Sequence, residues 1–299
     1  MSKYGFIVII SIVYSVSCSG QERNDTIQGM GLSTIAWANQ GNSFITFPTD
    51  IGNIEPLWFE GNLIPNFYLR VNEDSRLMGV ITPQVIVRMF QEESYPVRTP
   101  SYMPQITMYY LLSPKCNVNS LSLFGRFAHH SNGQDGEFFL ENGDINLKNG
   151  SFSTNYLELG LIRTNYNTRY NAAQFFSTSL QIHPSKLTEE ELSNNYSMYR
   201  CNSTFSIFKI PSSSEQNIKK KASFSIKAQT TWMFGDVNNW GNFSPDRLNL
   251  SLTFYYHPKF LEDIGFFTQL YHGMDYYNIY FNHKIDIIRF GVMTEKLRF

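Results

Sequence analysis

Residues 120–133, SLSLFGRFAHHSNG, alternate between two kinds of side chain. Leu121 and Phe127 occupy odd positions, whereas Ser122 and Arg126 occupy even positions. Because successive side chains of a β-strand point to opposite faces, this period of two predicts a strand with one apolar face and one polar face.

The same period recurs in further segments of the chain, which predicts an all-β protein. The segments are TPQVIVRMF (82–90), PQITMYYLL (104–112), TNYLELGLI (154–162), YNAAQFFSTSLQIH (170–183), ASFSIKAQTTWMF (222–234), RLNLSLTFYYH (247–257) and IGFFTQLYH (264–272). Soluble sandwiches and membrane barrels both alternate in this way. Long strands, aromatic residues near strand ends and charges on polar faces favour an antiparallel transmembrane β-barrel. Those charges are Arg88, Arg126, Glu158 and Lys227, which a polar lumen accommodates better than a dry core.

Composition and the N-terminus indicate an exported protein that does not bind nucleic acid. The 299 residues carry a net charge of -1, whereas nucleic acid requires a basic surface. Residues 1–20 combine a lysine, an apolar run and small residues, which predicts a signal peptide, with lipidation of Cys18 as the alternative. No later apolar run approaches the length of a spanning helix. Cys116 and Cys201 remain after cleavage, and whether they pair is left open.

Two regions depart from the strand pattern. Residues 21–62 show mixed signals and are predicted to form an N-terminal arm, either mobile or plugging the barrel. Residues 184–221 are polar and irregular, and we predict an exposed loop insertion there. The barrel itself is predicted to occupy residues 63–299.

Polar residues end two of the apolar faces, and they suggest catalysis. His129 and Ser131 follow the odd face of the opening segment, and Asn155 ends the odd face of TNYLELGLI. A polar group that faces lipid is costly and therefore indicates a function. Ser131 would be the nucleophile, His129 the base, and Asn155 the partner that holds the imidazole in one tautomer. The amide of Gly133, in the following turn, would donate to an oxyanion.

Two other interpretations of this stretch remain open. A strand that leaves the bilayer becomes polar, so the His-x-Ser pattern also arises without a function. A metal site at His129 and His130 is disfavoured, because neighbouring strand residues face opposite sides and no third ligand is evident.

Several blocks of the sequence together resemble the outer membrane phospholipase A barrels of Gram-negative bacteria, from about residue 63 to residue 299. HHSNGQ (129–134) resembles the family's block with the catalytic histidine and serine, and STNYLELGL (153–161) resembles the strand with its catalytic asparagine. FQEESYPVRTPSYMPQITMYY (90–110) and FTQLYHGMDYYNIYFNHKIDIIRFGVM (267–293) resemble two further family blocks. The resemblance assigns the catalytic roles to His129, Ser131 and Asn155.

The resemblance implies a twelve-stranded barrel in the bacterial outer membrane that hydrolyses both acyl esters of phospholipids and lysophospholipids. It implies a homodimer that requires Ca²⁺ and has its active site on the lipid-facing wall. The implied calcium ligands are Ser151 and Gln134, with Ser94 of the partner subunit. Gln134 stands where the family usually has arginine, which a backbone carbonyl ligand tolerates. Because the loop before Asn155 is longer here, Asp135 is an alternative ligand.

Two competing functions remain. A non-enzymatic barrel, either a small pore or a structural surface protein, would lack a reactive serine. The paired charges expected in the lumen argue against an open pore. A lipid A deacylase also uses a His-x-Ser pair, but it completes the triad with a carboxylate, which Asn155 does not supply.

Overall fold

The structure is a computed structural model that describes residues 30–72, 75–94, 96–114, 119–193, 195–211, 221–294 and 297. The predicted signal peptide at residues 1–20, including Cys18, lies outside these residues, as does Cys116. No α-helix of the described part is both long and apolar enough to cross a membrane.

Thirteen strand segments form one antiparallel sheet in this part of the chain. They are β1 (Phe44–Thr46), β2 (Leu57–Leu63), β3 (Phe67–Leu69), β4 (Leu77–Phe90), β5 (Ser101–Leu111), β6 (Ser120–Ser131), β7 (Ser153–Asn167), β8 (Ala172–Ile182), β9 (Tyr199–Lys209), β10 (Phe224–Phe234), β11 (Leu248–Tyr256), β12 (Ile264–Met274) and β13 (Lys284–Thr294). The helix α1 (Leu32–Gln40) precedes them.

The sheet closes into a barrel of twelve strands. From β4 to β13, each strand pairs with the next one along the chain. Strand β1 pairs with both β13 and β2, and β2 in turn pairs with β4, which closes the ring. Because β2 and β3 both lie along β4, they form one interrupted strand of the wall. The predicted all-β barrel of about twelve antiparallel strands is confirmed.

The two faces of the wall carry different side chains, as the period of two predicts. Large apolar side chains point outward and are exposed, including Ile81, Ile106, Phe127, Leu159, Phe205 and Leu270. Polar residues such as Thr82, Thr107, Ser122 and Thr164 alternate with them and are buried inside the barrel. An apolar outer belt around a polar interior matches the environment of a membrane, so the barrel is a transmembrane barrel.

The lumen is occupied by the helix α1 and by ion pairs. Leu32, Ile35 and Ala36 of α1 are buried in one apolar cluster with residues from the inner faces of strands β4–β8. Gln40 donates hydrogen bonds to Thr107 Oγ1 (3.1 Å) and to the hydroxyl of Tyr109 (3.0 Å). Of the arm predicted at residues 21–62, residues 21–29 lie outside the described residues, and the helix α1 lies inside the barrel. That prediction is wrong from residue 44 onward, where β1 and β2 form part of the wall.

The predicted loop insertion at residues 184–221 is wrong in its middle, because β9 crosses the barrel there. The outward face of β9 carries Cys201 and Ser203 between Tyr199 and Phe205, so its apolar alternation is weak. Cys201 is a free cysteine. Strand β9 nevertheless pairs with β8 and β10 along its full length, which shows that pairing with neighbours outweighs the local pattern.

Candidate functional site

His129 and Asn155 face each other across neighbouring strands on the outer wall. They are directly opposite in the register of β6 and β7. His129 Nδ1 and Asn155 Oδ1 are 3.1 Å apart, within hydrogen-bonding distance. Both residues are only partly buried, although their neighbours Leu157 and Phe127 form the exposed apolar face.

The loop between β8 and β9 sets the orientation of the Asn155 amide. Asn155 Nδ2 donates a hydrogen bond of 2.7 Å to the carbonyl oxygen of Leu187, which can only accept. The amide oxygen is therefore the atom that faces His129. Because this oxygen only accepts, a neutral His129 ring carries its proton on Nδ1, which leaves the lone pair on Nε2. This is the tautomer that a general base requires.

Ser131 lies on the same face as His129, two residues along β6, which puts their Cα atoms about 7 Å apart. It stands between Tyr102 of β5 and Ser153 of β7 in the sheet register. No hydrogen bond joins its hydroxyl to the histidine ring or to any other residue that the structure describes. The hydroxyl is thus uncommitted, and it lies on the same face of β6 as His129.

Asn132 fixes the turn that follows Ser131. Its side chain is buried, and its Oδ1 accepts from the amides of Phe152 (3.0 Å) and Gln134 (3.2 Å). Its Nδ2 donates to the carbonyl oxygen of Gly150 at 2.7 Å. These bonds tie the start of the loop between β6 and β7 to its end. Sequence reasoning assigned no role to Asn132.

Gly133 adopts a left-handed conformation in this turn, with φ of 67°. Its amide donates no hydrogen bond to the residues that the structure describes. A Cβ at this position would lie 3.3 Å from the ring of Tyr102, so the turn favours glycine for both reasons. The predicted oxyanion donor is therefore an unused N–H two residues after Ser131.

Glu189 is a neighbour of this site that sequence reasoning missed. The hydroxyl of Ser151 donates to Glu189 Oε1, and the Ser153 amide donates to Oε2 at 3.0 Å. The Glu189 amide donates back to the Ser153 carbonyl at 3.1 Å. The only sequence signal is the acidic run TEEEL (188–192), which does not indicate a contact with residues 151–153.

The other predicted calcium ligands are not brought into contact with Ser151 by hydrogen bonds. Ser94 is exposed in the loop between β4 and β5. Gln134 and Asp135 are exposed in the turn after Asn132, and Asp135 has no hydrogen bond or ion pair with the described residues. Within the described ranges, no three His, Cys, Asp or Glu side chains are grouped to hold a metal ion.

The remaining histidines near the site point into the barrel. His130 is buried beside the ring of Phe152, with ring centroids 4.9 Å apart, so it cannot share a metal with the outward-facing His129. His183, just past β8, bonds to Thr154 Oγ1 (2.9 Å) through Nδ1 and to Gln181 (2.9 Å) through Nε2. Burial, assisted by the charge of Arg200, lowers the pKa of His183 to about 2.

Comparisons with known proteins relate this barrel to one group of solved structures. No protein-family model and no curated protein sequence matches the chain. Outer membrane phospholipase A from Escherichia coli matches with a TM-score of 0.58 and 15% identity, over 90% of this chain and 100% of that chain. The chain is an outer membrane β-barrel.

Two further structures support the same fold. An active-site mutant of the E. coli phospholipase, at pH 6.1, matches with a TM-score of 0.56 and 14% identity, over 93% of this chain and 95% of that chain. The outer membrane phospholipase dimer with bound calcium from Salmonella typhi matches with a TM-score of 0.55 and 13% identity, over the same shares. At these identities the matches establish the fold of the barrel.

Proposed function

We propose that this barrel is a calcium-dependent outer membrane phospholipase that hydrolyses acyl esters of phospholipids and lysophospholipids as a homodimer. The observation that carries the proposal is the 3.1 Å contact between His129 Nδ1 and Asn155 Oδ1 on the lipid-facing wall. Ser131 lies on the same face with an uncommitted hydroxyl. The similarity to phospholipase structures, one of them a dimer with calcium, supports the same conclusion.

Ser131, His129 and the Gly133 amide have the roles that such groups have in a serine hydrolase. Ser131 Oγ attacks the ester carbonyl carbon, and its proton passes to His129 Nε2. The Gly133 amide donates to the oxygen that becomes negative. The tetrahedral intermediate then collapses, and the leaving glycerol oxygen takes the proton from His129. Water activated by the same ring releases the fatty acid from Ser131.

Asn155 acts on this reaction by holding the histidine. As the His129 ring becomes cationic, the amide oxygen of Asn155 stabilises the proton on Nδ1. An amide does this less strongly than a carboxylate, but it places no full charge beside hydrocarbon. The partner of His129 is thus an amide, which favours a phospholipase over a lipid A deacylase that uses a carboxylate.

The donor chemistry near Ser151 fits a calcium ion. Ser151 supplies a hydroxyl oxygen, Glu189 a carboxylate and Gln134 a backbone carbonyl, and all three are hard oxygen ligands that Ca²⁺ prefers. When bound there, calcium would supply positive charge to the oxyanion beside the Gly133 amide. On dimerisation, Ser94 of the partner subunit would supply a further calcium ligand. The second barrel would also cover the exposed site.

The contents of the lumen argue against the alternative of an open pore. Helix α1 lies in the apolar cluster that fills one part of the interior. Arg126 pairs with Glu158 at 2.9 Å and Arg88 pairs with Glu60 at 2.7 Å, in both cases between neighbouring strands. Arg88 also pairs with Asp275, which follows β12, at 2.6 Å, so paired charges occupy the interior.

The test is hydrolysis of a labelled phospholipid by the purified barrel in detergent, with calcium and with a chelator. We expect release of fatty acid with calcium, and loss of at least about a thousandfold in rate for Ser131→Ala. Ser153→Ala is the matched control, because it changes a serine one strand away and should retain the activity. Full activity of the Ser131 variant, with a barrel that still shifts in mobility on heating, would contradict the proposal.

A further inference from the structure

A cavity of about 170 Å³ lies inside the barrel, at the end where β6 and β8 end and β7 and β9 begin. Its lining comes from these strands and from the loops that follow β8 and β12. One water occupies about 30 Å³ in the liquid, so the cavity holds a compact ion together with water. His130 lines it, whereas His129, the next residue of β6 on the other side of the strand, faces outward. The cavity is therefore separated from the candidate site by the wall of the barrel.

Arg200 of β9 lines this cavity and has no carboxylate partner among the described residues. Three other arginines of the lumen, Arg88, Arg126 and Arg289, each pair with a carboxylate, at 2.7, 2.9 and 2.6 Å. The guanidinium carbon of Arg200 lies 4.4 Å from the centre of the Tyr196 ring, which holds the group in place. Stacking on a ring leaves the N–H groups in the guanidinium plane free to donate. The half-buried charge of Arg200 is thus uncompensated and directed by a fixed side chain.

Two further side chains of the lining have hydrogen-bond donors without an acceptor. Asn249 Oδ1 accepts from the Met274 amide at 2.9 Å, and Asn249 Nδ2 donates to none of the described residues. His130 is only 7% exposed, yet neither of its ring nitrogens is hydrogen-bonded to a residue that the structure describes. A neutral imidazole carries one N–H, so His130 also has a donor to give. Buried polar groups without a partner are rare, and they indicate a bound ion or water.

The negative charge of the lining, in contrast, is already paired. Among the described residues that line the cavity, Asp275 is the one carboxylate, and it accepts from both terminal nitrogens of Arg88 at 2.6 and 2.8 Å. Asn278 is bonded at both side-chain atoms, since Oδ1 accepts from the next amide at 2.6 Å and Nδ2 donates to a backbone carbonyl at 2.7 Å. The uncompensated charge at the cavity is therefore positive, and the unpaired groups of Arg200, Asn249 and His130 are donors.

We propose that this cavity binds a small oxyanion, the chemistry that inorganic phosphate and acetate share. Arg200 is the charged ligand, and Asn249 and His130 are neutral donors. An oxyanion only accepts hydrogen bonds, and the planar fork of arginine matches two of its oxygens. Inside a barrel the lower dielectric strengthens such bonds relative to those at a surface. The site is independent of the proposed hydrolysis, because it lies on the inner face of the wall.

The test is calorimetric titration of inorganic phosphate, of acetate and of chloride into the full chain in non-ionic detergent, at constant ionic strength. We expect saturable binding of phosphate or acetate that is tighter than binding of chloride, and the preferred ion identifies the group that the cavity recognises. Arg200→Gln removes the charged ligand and should weaken this binding about tenfold or more. Asn249→Asp keeps the acceptor for the Met274 amide but adds a negative charge, and it should abolish binding.

Lys227→Gln is the matched control, because Lys227 approaches Gly41 at the end of α1 inside the barrel and does not line the cavity. Its affinity should stay within about twofold of the unchanged chain. Binding no tighter than that of chloride, or an affinity unchanged in either folded cavity variant, would overturn the inference. An equal loss in Lys227→Gln would also overturn it, since binding would then follow the net charge of the lumen. Heat-dependent mobility on a gel shows that each variant has folded, and Asn249→Asp decides alone if Arg200→Gln does not fold.

Discussion

Polar groups of the barrel lie in two regions, the lumen and the outer wall, and the buried ion pairs of the lumen differ from the proposed nucleophile and oxyanion donor of the outer wall in having hydrogen-bond partners. In the lumen, Arg88 donates to Glu60 (2.7 Å) and, through both terminal nitrogens, to Asp275 (2.6 and 2.8 Å). On the outer wall, the hydroxyl of Ser131 and the amide of Gly133 have no partners among the residues that the structure describes. The charge of Arg88 is thus paired by carboxylates on both sides, whereas the outer site retains donors without a partner.

This difference distinguishes polar groups that stabilise the barrel from polar groups that are placed to bind a reacting group. A buried ion pair with both partners present holds neighbouring strands together, and removing one partner leaves an uncompensated charge. Unused donors beside hydrocarbon contribute nothing to the stability of the barrel, and they are placed to bind a reacting group. Substitutions in one region at a time, with both stability and hydrolysis measured, distinguish the two kinds of group.

The largest effect is expected in the lumen. Arg88→Met removes the cation between two buried carboxylates and should lower the free energy of unfolding by about 3–5 kcal/mol. Unfolding in urea, monitored by heat-dependent mobility on a gel, measures the decrease in the free energy of unfolding. The control is Lys284→Met, which breaks an exposed pair with Asp246 and should cost at most about 1 kcal/mol. Equal losses in the two variants would remove the distinction between buried and exposed pairs.

An intermediate effect is expected on the outer wall, in rate rather than stability. Asn155→Ala removes the acceptor of His129 Nδ1 and should lower the rate of hydrolysis about 10- to 100-fold, with little change in unfolding. Asn165→Ala is the matched control, since Asn165 lies on the same strand and face, ten residues away. An Asn155→Ala variant with a lower free energy of unfolding and an unchanged rate of hydrolysis would contradict a functional role for the outer wall.

The smallest effect is expected in the local stability of the loop between β8 and β9, which should depend on pH. The folded chain keeps His183 neutral, because its pKa is lowered to about 2 from an ordinary value of 6.5. The unfolded loop binds more protons between these values, so local stability falls as pH drops below 6.5. Hydrogen exchange of residues 183–198, corrected for the intrinsic rate, should show opening at pH 5 relative to pH 7. A His183→Gln variant should lose this dependence, and unchanged exchange in the parent chain would contradict it.

The sequence predicts the barrel wherever the outer face of a strand is continuously apolar. In β6 the alternation is clear from Leu121 to Phe127, and this parity places His129 and Ser131 outward. In β9 it is interrupted by Cys201 and Ser203, so the sequence alone predicts a loop there. The three-residue strand β1 is too short to show any period, and only its pairing with β13 reveals it.

The contacts of the loop between β8 and β9 could not be predicted, because no local pattern encodes them. Glu189 and Ser151 are 38 residues apart in the chain, and they meet only after β7 and β8 have paired. The bond from Asn155 to Leu187 uses a backbone carbonyl, which is independent of the side chain at that position. Strand parity therefore finds side chains on regular strands, and loop contacts require the three-dimensional structure.

The most direct test of the central claim is the reactivity of Ser131 towards a serine-directed acylating or sulfonylating inhibitor, read by peptide mass spectrometry. We predict one modified residue, Ser131, with labelling lost in His129→Ala and slowed in Asn155→Ala. Folded protein without a label on Ser131, or a label that persists unchanged in His129→Ala, would contradict a nucleophile activated by the outward-facing histidine.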